Sequence, residues 1–281
     1  MPATPADTNT DAVRTAPGGL LLRLAGVLSA YGTDTAFTRR DTQPHPTRSA
    51  LIGMFAAAAG RPRHQALDPL DLPGRPRYTD LAFTIRVDTP STLYTDFHTT
   101  GSGRSRHEQL RTSKGERRQE GKTTHVSHRH YLTDACFTVA VQGPAALIAY
   151  LAHTLEHPCF ALYLGRRACV PDEPLVLTPP LSDPLTHLRH HAPLTLHTPP
   201  DPEADRIPVT FWHDTPPPNP TAHRELADNP VDFTPHHRRY TVRSLWTTTE
   251  RLPAALYAGA DPLPALTAYR HRLEQPCPPS P

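Results

Sequence analysis

The chain has 281 residues, of which 35 are proline, and its formal net charge at neutral pH is only +2. This length suffices for one large or two small domains, while proline far above the usual share of about 5% requires much of the chain to be loop. The sequence shows neither a signal peptide nor an apolar run of about 18 residues, which argues against export and membrane insertion and predicts a cytoplasmic protein.

The cysteines do not predict a metal site. Cys136, Cys159, Cys169 and Cys277 form no C-x-x-C pair and have no histidine partners at zinc-finger spacing. Cys136 lies in an apolar stretch and is expected to be a small core residue. The sequence therefore predicts no metal and no cofactor.

In chain order, the first half predicts strands alternating with helices. Residues 1–17 are small, polar and Pro-rich, and are expected to be disordered. Arg23 is the single charge within the first strand, which suits a strand-edge residue that reaches solvent. The predicted strands are 19–26, 77–87 and 135–142, and the predicted helices are 48–59 and 144–157, the second with a proline at its start.

The second half is richer in proline. Fourteen prolines fall within residues 171–220, where central strands are disfavoured because proline cannot donate a ladder hydrogen bond. We expect short edge strands or extended coil there, with a Pro-rich linker at 178–205. A small β-rich region is predicted at 206–249. The extension 250–281 is expected to contain a short helix near 261–274.

Charge is concentrated in residues 98–130, where eight basic and three acidic residues give a local net charge of +5. This segment has almost no apolar content, so it cannot contribute to a core and is expected to protrude. Local concentration of charge attracts a polyanion, although a solvated surface loop is the usual meaning of such a run.

The start of the first helix could hold a phosphate. The stretch Pro46–Gly53 is a hydroxyl-containing turn that runs into an apolar helix, with Thr47 or Ser49 as the cap and Gly60 as the stop. Free backbone N–H groups would then face the turn beside Arg48, with Arg39 and Arg40 on the preceding loop. An ordinary capped core helix is the alternative interpretation.

Gly165, Arg166 and Arg167 follow an apolar stretch and form a second candidate. Glycine lets the backbone approach a ligand closely, and paired arginines can grip phosphates. A β-turn whose arginines pair with Asp172 or Glu173 would explain the same residues. A weaker basic patch lies at 236–240.

Asp96 and His98 are candidates for acid–base chemistry. Spaced two apart on a predicted strand, they point to the same face and could form an acid–imidazole pair. With Tyr94 they could cleave RNA, which keeps a metal-independent endoribonuclease as the alternative function. No carboxylate cluster stands out for metal-dependent cleavage.

Several blocks together resemble a known family. They are Leu20–Gly26, Pro46–Gly53, Tyr94–Thr99, Tyr131–Ala140 and Tyr163–Cys169. In this order they resemble the CasD subunits of the type I-E CRISPR surveillance complex, Cascade, within the RAMP superfamily. The resemblance covers residues 19–177 well and 205–247 loosely.

This resemblance implies an α+β fold, with a ferredoxin-like βαββαβ domain at residues 18–177. It implies a protruding basic β-hairpin thumb at 98–130 and a smaller, irregular β-rich C-terminal region. The thumb would lie over the RNA backbone.

The resemblance also implies a non-catalytic subunit that caps the repeat-derived 5′ handle of the guide RNA, the crRNA. Its further partners would be the Cascade backbone subunit and the large subunit, with target DNA contacted only indirectly and no membrane involved. A purely protein-binding scaffold is the third possibility. The residues expected to contact RNA are Arg39, Arg40, Thr47, Arg48, Ser49, His98, Arg104, Arg106, Arg111, Lys114, Arg117, Arg118, Arg129, Arg166 and Arg167.

Overall fold

The computed structural model describes residues 18–33, 35–36, 38–101, 108, 111, 115–116, 124–234 and 237–275. The helices are α1 (Arg48–Ala58), α2 (Ala145–Glu156), α3 (Pro184–His190) and α4 (Leu263–Glu274). The strands are β1 (Gly18–Ala25), β2 (Leu28–Ser29), β3 (Thr35–Ala36), β4 (Arg39–Arg40), β5 (Ala82–Thr89), β6 (Thr92–Thr100), β7 (His125–Thr133), β8 (Cys136–Gly143), β9 (Arg206–His213), β10 (Ala222–Asp232) and β11 (Arg239–Pro253). The fold is thus mixed α+β.

The main sheet has six strands in the order β1-β8-β5-β9-β11-β10, and its neighbours pair antiparallel. Strand alternation divides β1 between two cores, because successive side chains point to opposite faces. Leu20, Leu22 and Leu24 pack with α1 and α2, whereas Leu21 packs on the side of α3 and α4. The sheet is therefore covered by helices on both faces.

A smaller sheet extends from the ends of β1 and β8. It has the order β2-β7-β4-β3, and β6 pairs with β7 as an antiparallel hairpin. Strand β7 leads into β8 through Asp134 and Ala135, so the hairpin is anchored in the main sheet. This second sheet carries the candidate site.

The predicted helices of the first half are confirmed within two residues at each end. Pro144 is the N-cap of α2, and Cys136 is buried, both as expected. Helix α1 is terminated by Gly60, two residues beyond Ala58, with φ +69. The Gly60 N–H donates to the Ala57 carbonyl and the Arg61 N–H to the Ala56 carbonyl. These two hydrogen bonds form a Schellman motif, which a glycine at this position favours.

Arg23 does not reach solvent as its sequence context suggested. Residues 175–181 run beside β1 on the side away from β8, so β1 is not an edge strand. The Arg23 side chain is buried and its Nη1 lies 3.5 Å from the Glu173 carbonyl oxygen.

The prediction for the Pro-rich part was wrong at β9. This strand lies centrally in the main sheet, between β5 and β11, and a helix, α3, forms where extended coil was expected. Pro208 is tolerated because only Thr210–His213 pair with β5, so the proline lies where β9 has one neighbour. The tail helix near 261–274 is confirmed as α4. In the described part of the chain, no helix is long and apolar enough to cross a membrane.

A candidate RNA-binding surface

The register of β6 and β7 decides which polar side chains share a face. Side chains two residues apart in a strand point the same way. The directly opposed pairs on one face are Tyr94 with Tyr131, Asp96 with Arg129 and His98 with Ser127. Arg40 of β4 lies beside Arg129 in a parallel pair, which brings it to the same face.

Arg166 closes this arrangement from the loop after Leu164. Its Nη1 donates to the His130 carbonyl at 3.0 Å and its Nη2 to the Arg40 carbonyl at 3.0 Å. Its guanidinium carbon lies 4.6 Å from the centre of the Tyr131 ring, a cation–π contact that covers this buried tyrosine. Arg166 therefore bonds to β4 and β7 rather than to Asp172 or Glu173.

Gly165 makes the approach of this loop possible. Its φ is +87, and a Cβ built on it would lie 1.7 Å from the Ala30 carbonyl oxygen. No side chain fits there, so glycine is required for Arg166 to reach the sheet.

We call the resulting surface the hairpin face. It presents three guanidinium groups and an exposed tyrosine beside one carboxylate. Its residues are Arg40, Tyr94, Asp96, His98, Arg129 and Arg166.

Asp96 and His98 share the hairpin face, as the sequence predicted. His98 Nδ1 lies 3.5 Å from Asp96 Oδ2, and both side chains are about one-third exposed. The pair lies near the end of β6 where the segment 102–107 begins.

Arg39 lies on the opposite face from Arg40, because consecutive strand residues alternate. Its Nε donates to Asp41 Oδ1 at 2.9 Å, and the same oxygen lies 2.9 Å from His130 Nδ1. Arg39 and Arg40 are therefore separated, although both are exposed.

The start of α1 does not present a free anion site. The Arg48 N–H donates to Asp228 Oδ2 at 2.8 Å, so a carboxylate of β10 already occupies the position proposed for a phosphate. Thr47 is the N-cap residue but its side chain makes no capping bond; its Oγ1 lies 3.4 Å from Ser49 Oγ. The cap predicted from Thr47 or Ser49 is thus supplied by Asp228.

The Arg48 guanidinium is also directed inward. Its side chain is 10% exposed and donates to Asn229, to Asp214 Oδ2 at 2.6 Å and to the Thr79 carbonyl. The Arg48 guanidinium is therefore paired inside the protein and is not free beside the turn.

A second arginine completes this buried network. Arg243 donates through Nε and Nη2 to both oxygens of Asp228, at 2.5 and 2.9 Å, and through Nη1 to Asp214 at 2.7 Å. Burial raises the pKa of Asp214, while Arg243 and Arg48 oppose that shift. The network joins α1 to the C-terminal strands.

The remaining predicted residues are only partly described. Arg167 is exposed next to Arg166, and Arg111 donates weakly to the Gly115 carbonyl at 3.4 Å. The other predicted thumb contacts, Arg104, Arg106, Lys114, Arg117 and Arg118, lie outside the described residues.

Tyr131 is the residue that sequence reasoning missed in this site. The two-residue alternation of Ser127, Arg129 and Tyr131 would have revealed it as a shared face. The partners Asp214, Asp228 and Arg243 carried no local signal. Among the described residues, no group of three or more His, Cys, Asp or Glu side chains could hold a metal ion.

Residues 19–245 match the family model described as "CRISPR-associated protein (Cas_Cas5)". A curated relative, "CRISPR system Cascade subunit CasD" of Escherichia coli (strain K12), is 32% identical over 180 residues, which cover 62% of this chain and 77% of the relative.

Two solved structures are similar over most of the chain. One, described as "CRISPR RNA-guided surveillance complex", is 42% identical with a TM-score of 0.79 and covers 89% of this chain and 98% of its own. The other, "Crystal structure of Cas protein", is 26% identical with a TM-score of 0.52 and covers 85% and 97%. The family match, the curated relative and the shared fold together place this chain in the CRISPR-associated Cas5 family.

Proposed function

We propose that this chain is a subunit of a CRISPR RNA-guided surveillance complex of the Cascade type, in which it binds the guide RNA without cleaving it. Its family membership and its relative in Cascade support the assignment to the complex. The convergence of Arg40, Arg129 and Arg166 beside Tyr94 on the hairpin face carries the RNA-binding part.

The chemistry of this face suits a single strand of RNA. Guanidinium forks contact phosphate oxygens, and an exposed aromatic ring offers a base a stacking surface. A single strand needs no groove-reading helix, and target sequence is left to pairing with the guide.

Within the mixed α+β fold, we propose a ferredoxin-like unit. Residues 175–181, β1, β8 and β5 lie side by side in that order, with α1 and α2 on one face. This arrangement supports a ferredoxin-like βαββαβ unit. The β6–β7 pair supports a hairpin whose distal part would be the basic thumb.

The RNA segment that we assign to this surface is the repeat-derived 5′ handle. The backbone subunit and the large subunit remain the proposed protein partners, and Arg167 and the thumb arginines remain proposed RNA contacts. We propose a different role for Thr47, Arg48 and Ser49: they position α1 against β10 and do not contact RNA. Arg39 would act through Asp41 and His130, which hold β4 against β7.

Binding is tested by fluorescence anisotropy with labelled repeat RNA, on the free chain and on the assembled complex. The double variant Arg40→Gln/Arg129→Gln should weaken binding about tenfold or more. It should also lower the slope of log affinity against log salt by about 0.7 for each lost phosphate contact. These two arginines are chosen because neither donates to a carboxylate or a backbone carbonyl in the described structure.

The matched control is Arg63→Gln/Arg251→Gln, which removes the same charge at exposed positions away from the hairpin face. It should change neither affinity nor slope beyond a small general effect. If Arg40→Gln/Arg129→Gln binds RNA as the wild type does, the hairpin face is not the RNA-binding surface and the proposal fails. A wild-type chain that binds no repeat RNA would instead be a protein-binding scaffold.

The endoribonuclease is retained as the second candidate because Asp96, His98 and Tyr94 share the hairpin face. Incubation with repeat RNA distinguishes the two. A binder shifts the RNA and leaves it intact. New 5′-hydroxyl ends that disappear in His98→Ala would establish cleavage instead.

A further inference from the structure

A cavity lies on the α3 and α4 side of the main sheet, between α3, the turn Ala254–Leu256 and α4. Its volume is about 560 Å³, within the range of about 300–1,000 Å³ that small-ligand sites occupy. Its walls are joined by backbone bonds from Leu194 N–H to the Leu256 carbonyl and from Ala258 N–H to the Leu194 carbonyl. It shares no residue with the hairpin face.

The polar lining of this cavity is basic or phenolic. Of the described residues that line it, none is acidic. The apolar lining includes two alanines of α4, Ala265 and Ala268. The polar lining residues are His187, His190, His191, Tyr257, Tyr269 and Arg272.

The groups that would repel an anion are already engaged. Carbonyl oxygens at the end of α3 could oppose negative charge, but the buried Arg86 guanidinium takes them. It donates to the carbonyls of Leu188, Ala192 and Pro193 at 2.6, 3.0 and 2.6 Å. Asp88 in turn accepts from Arg86 through both oxygens, so its charge is paired.

Two lining groups are available for a ligand. Arg272 is exposed and makes no side-chain hydrogen bond or ion pair within the described residues. Tyr257 is half-buried, and its ring has no aromatic partner among those residues. Tyr269, in contrast, is buried and lies 2.9 Å from His187 Nδ1 through its hydroxyl, which rigidifies the wall.

From these observations we propose that the α3–α4 cavity binds one nucleotide of a single nucleic-acid strand. Its phosphate would contact Arg272 and the histidines, and its base would lie against Tyr257 and the apolar lining residues. A lining that combines basic, aromatic and apolar side chains matches an anion with a flat body, which a nucleotide is and inorganic phosphate is not. RNA and DNA share this chemistry, and the experiment separates them.

Burial and the neighbouring His191 lower the pKa of His187, and the Asp183 carboxylate opposes that shift. His187 is therefore neutral near pH 7, and its Nδ1 lies 2.9 Å from the Tyr269 hydroxyl. Arg272 is the lining residue that carries a permanent positive charge.

Photo-crosslinking tests the proposal. Six-nucleotide strands carrying 4-thiouridine, or 4-thiothymidine for DNA, are irradiated with the full chain, and crosslinks are mapped by mass spectrometry after trypsin. The expected product is the peptide 252–270, which contains Tyr257 and Tyr269. Its yield should fall about tenfold in Tyr257→Ala and in Arg272→Gln.

The controls distinguish this site from the hairpin face. Arg63→Gln and Arg40→Gln/Arg129→Gln should leave the crosslink to peptide 252–270 unchanged, even if the second abolishes binding of repeat RNA. Crosslinks with only one of the two sugars would support the site and identify its source as RNA or DNA. Absence of the peptide with both strands, or a yield that neither Tyr257→Ala nor Arg272→Gln lowers, would overturn the proposal.

Discussion

At the scale of single residues, glycine and arginine decide the candidate site. Gly165 has no side chain because the Ala30 carbonyl occupies that space, and this contact directs Arg166 onto Tyr131. Arginine is suited to this position because one planar group can donate to two carbonyls and also lie over a ring. The chemistry of the surface thus depends on one absent Cβ.

Gly165→Ala should destabilise the fold by about 1–3 kcal/mol, because the residue has a positive φ and the new methyl group overlaps the Ala30 carbonyl. Urea denaturation measures the change. RNA affinity should fall as well, because Arg166 is displaced.

Gly53→Ala is the matched control, since a Cβ at that position in α1 meets no atom within 4 Å. It should stabilise the protein by up to about 1 kcal/mol, as alanine is the better helix former. Equal effects of the two substitutions would contradict this account of Gly165.

At the scale of elements, α1 is held at its first turn by another element. Asp228 of β10 accepts hydrogen bonds from the Arg48 N–H and from Nε and Nη2 of Arg243. Helix α3 is capped locally instead, where Asp183 accepts the Thr186 N–H at 3.0 Å at the surface. The two helices therefore differ in how much of the fold depends on one carboxylate.

Asp228→Ala should reduce the free energy of unfolding by about 3–5 kcal/mol, because it leaves the buried Arg243 without its main partner. Asp183→Ala should cost only about 1 kcal/mol, the usual effect of losing an exposed N-cap. Thermal and urea denaturation of both variants provide the comparison. Similar losses in the two would show that the buried network adds nothing beyond a cap.

At the scale of the whole molecule, a buried histidine joins the loop before α1 to the main sheet and makes stability depend on pH. His45 lies against Trp212, with its Nδ1 3.0 Å from the Pro46 carbonyl and its Nε2 facing Arg224. Burial lowers the pKa of His45 to about 4, and burial also lowers the pKa of His213. Nε2 of His45 must stay unprotonated to accept a hydrogen bond from Arg224. Protonation of His45 therefore breaks a contact between the loop before α1 and β10.

The free energy of unfolding should therefore fall as pH decreases from 7 to 5. A histidine whose pKa is depressed in the folded state is stabilising above its unfolded value near 6.5, and this contribution is lost as pH falls below that value. His45 alone accounts for a loss of about 2 kcal/mol in the free energy of unfolding at pH 5.

Urea titrations at the two pH values measure this loss. His45→Gln should remove about 2 kcal/mol of the pH dependence, because the amide oxygen can still accept from Arg224 without titrating. His64→Gln, at an exposed position, should retain the wild-type dependence. An unchanged dependence in His45→Gln would rule out this histidine as the cause.

Local pattern predicted the elements that have strong periodicity. The spacing of Leu147, Ile148, Leu151 and Leu155 predicts α2, and all four are buried. The two-residue spacing of Asp96 and His98 predicts their shared face, which β6 confirms. The central position of β9 was not predictable, because a proline penalty is local whereas the neighbours of a strand are distant in sequence.

The amino-acid sequence by itself determined the α+β class, the helices α1, α2 and α4, the shared face of Asp96 and His98, and the family. These follow from periodicity, turn residues and ordered motifs, all of which act over short distances along the chain. Only the tertiary structure decided that Arg48 is internal and that Arg166 lies on Tyr131. Those outcomes depend on Asp214, Asp228 and Ala30, which are brought close by folding, and whether a charged side chain faces solvent or a partner depends on such distant neighbours.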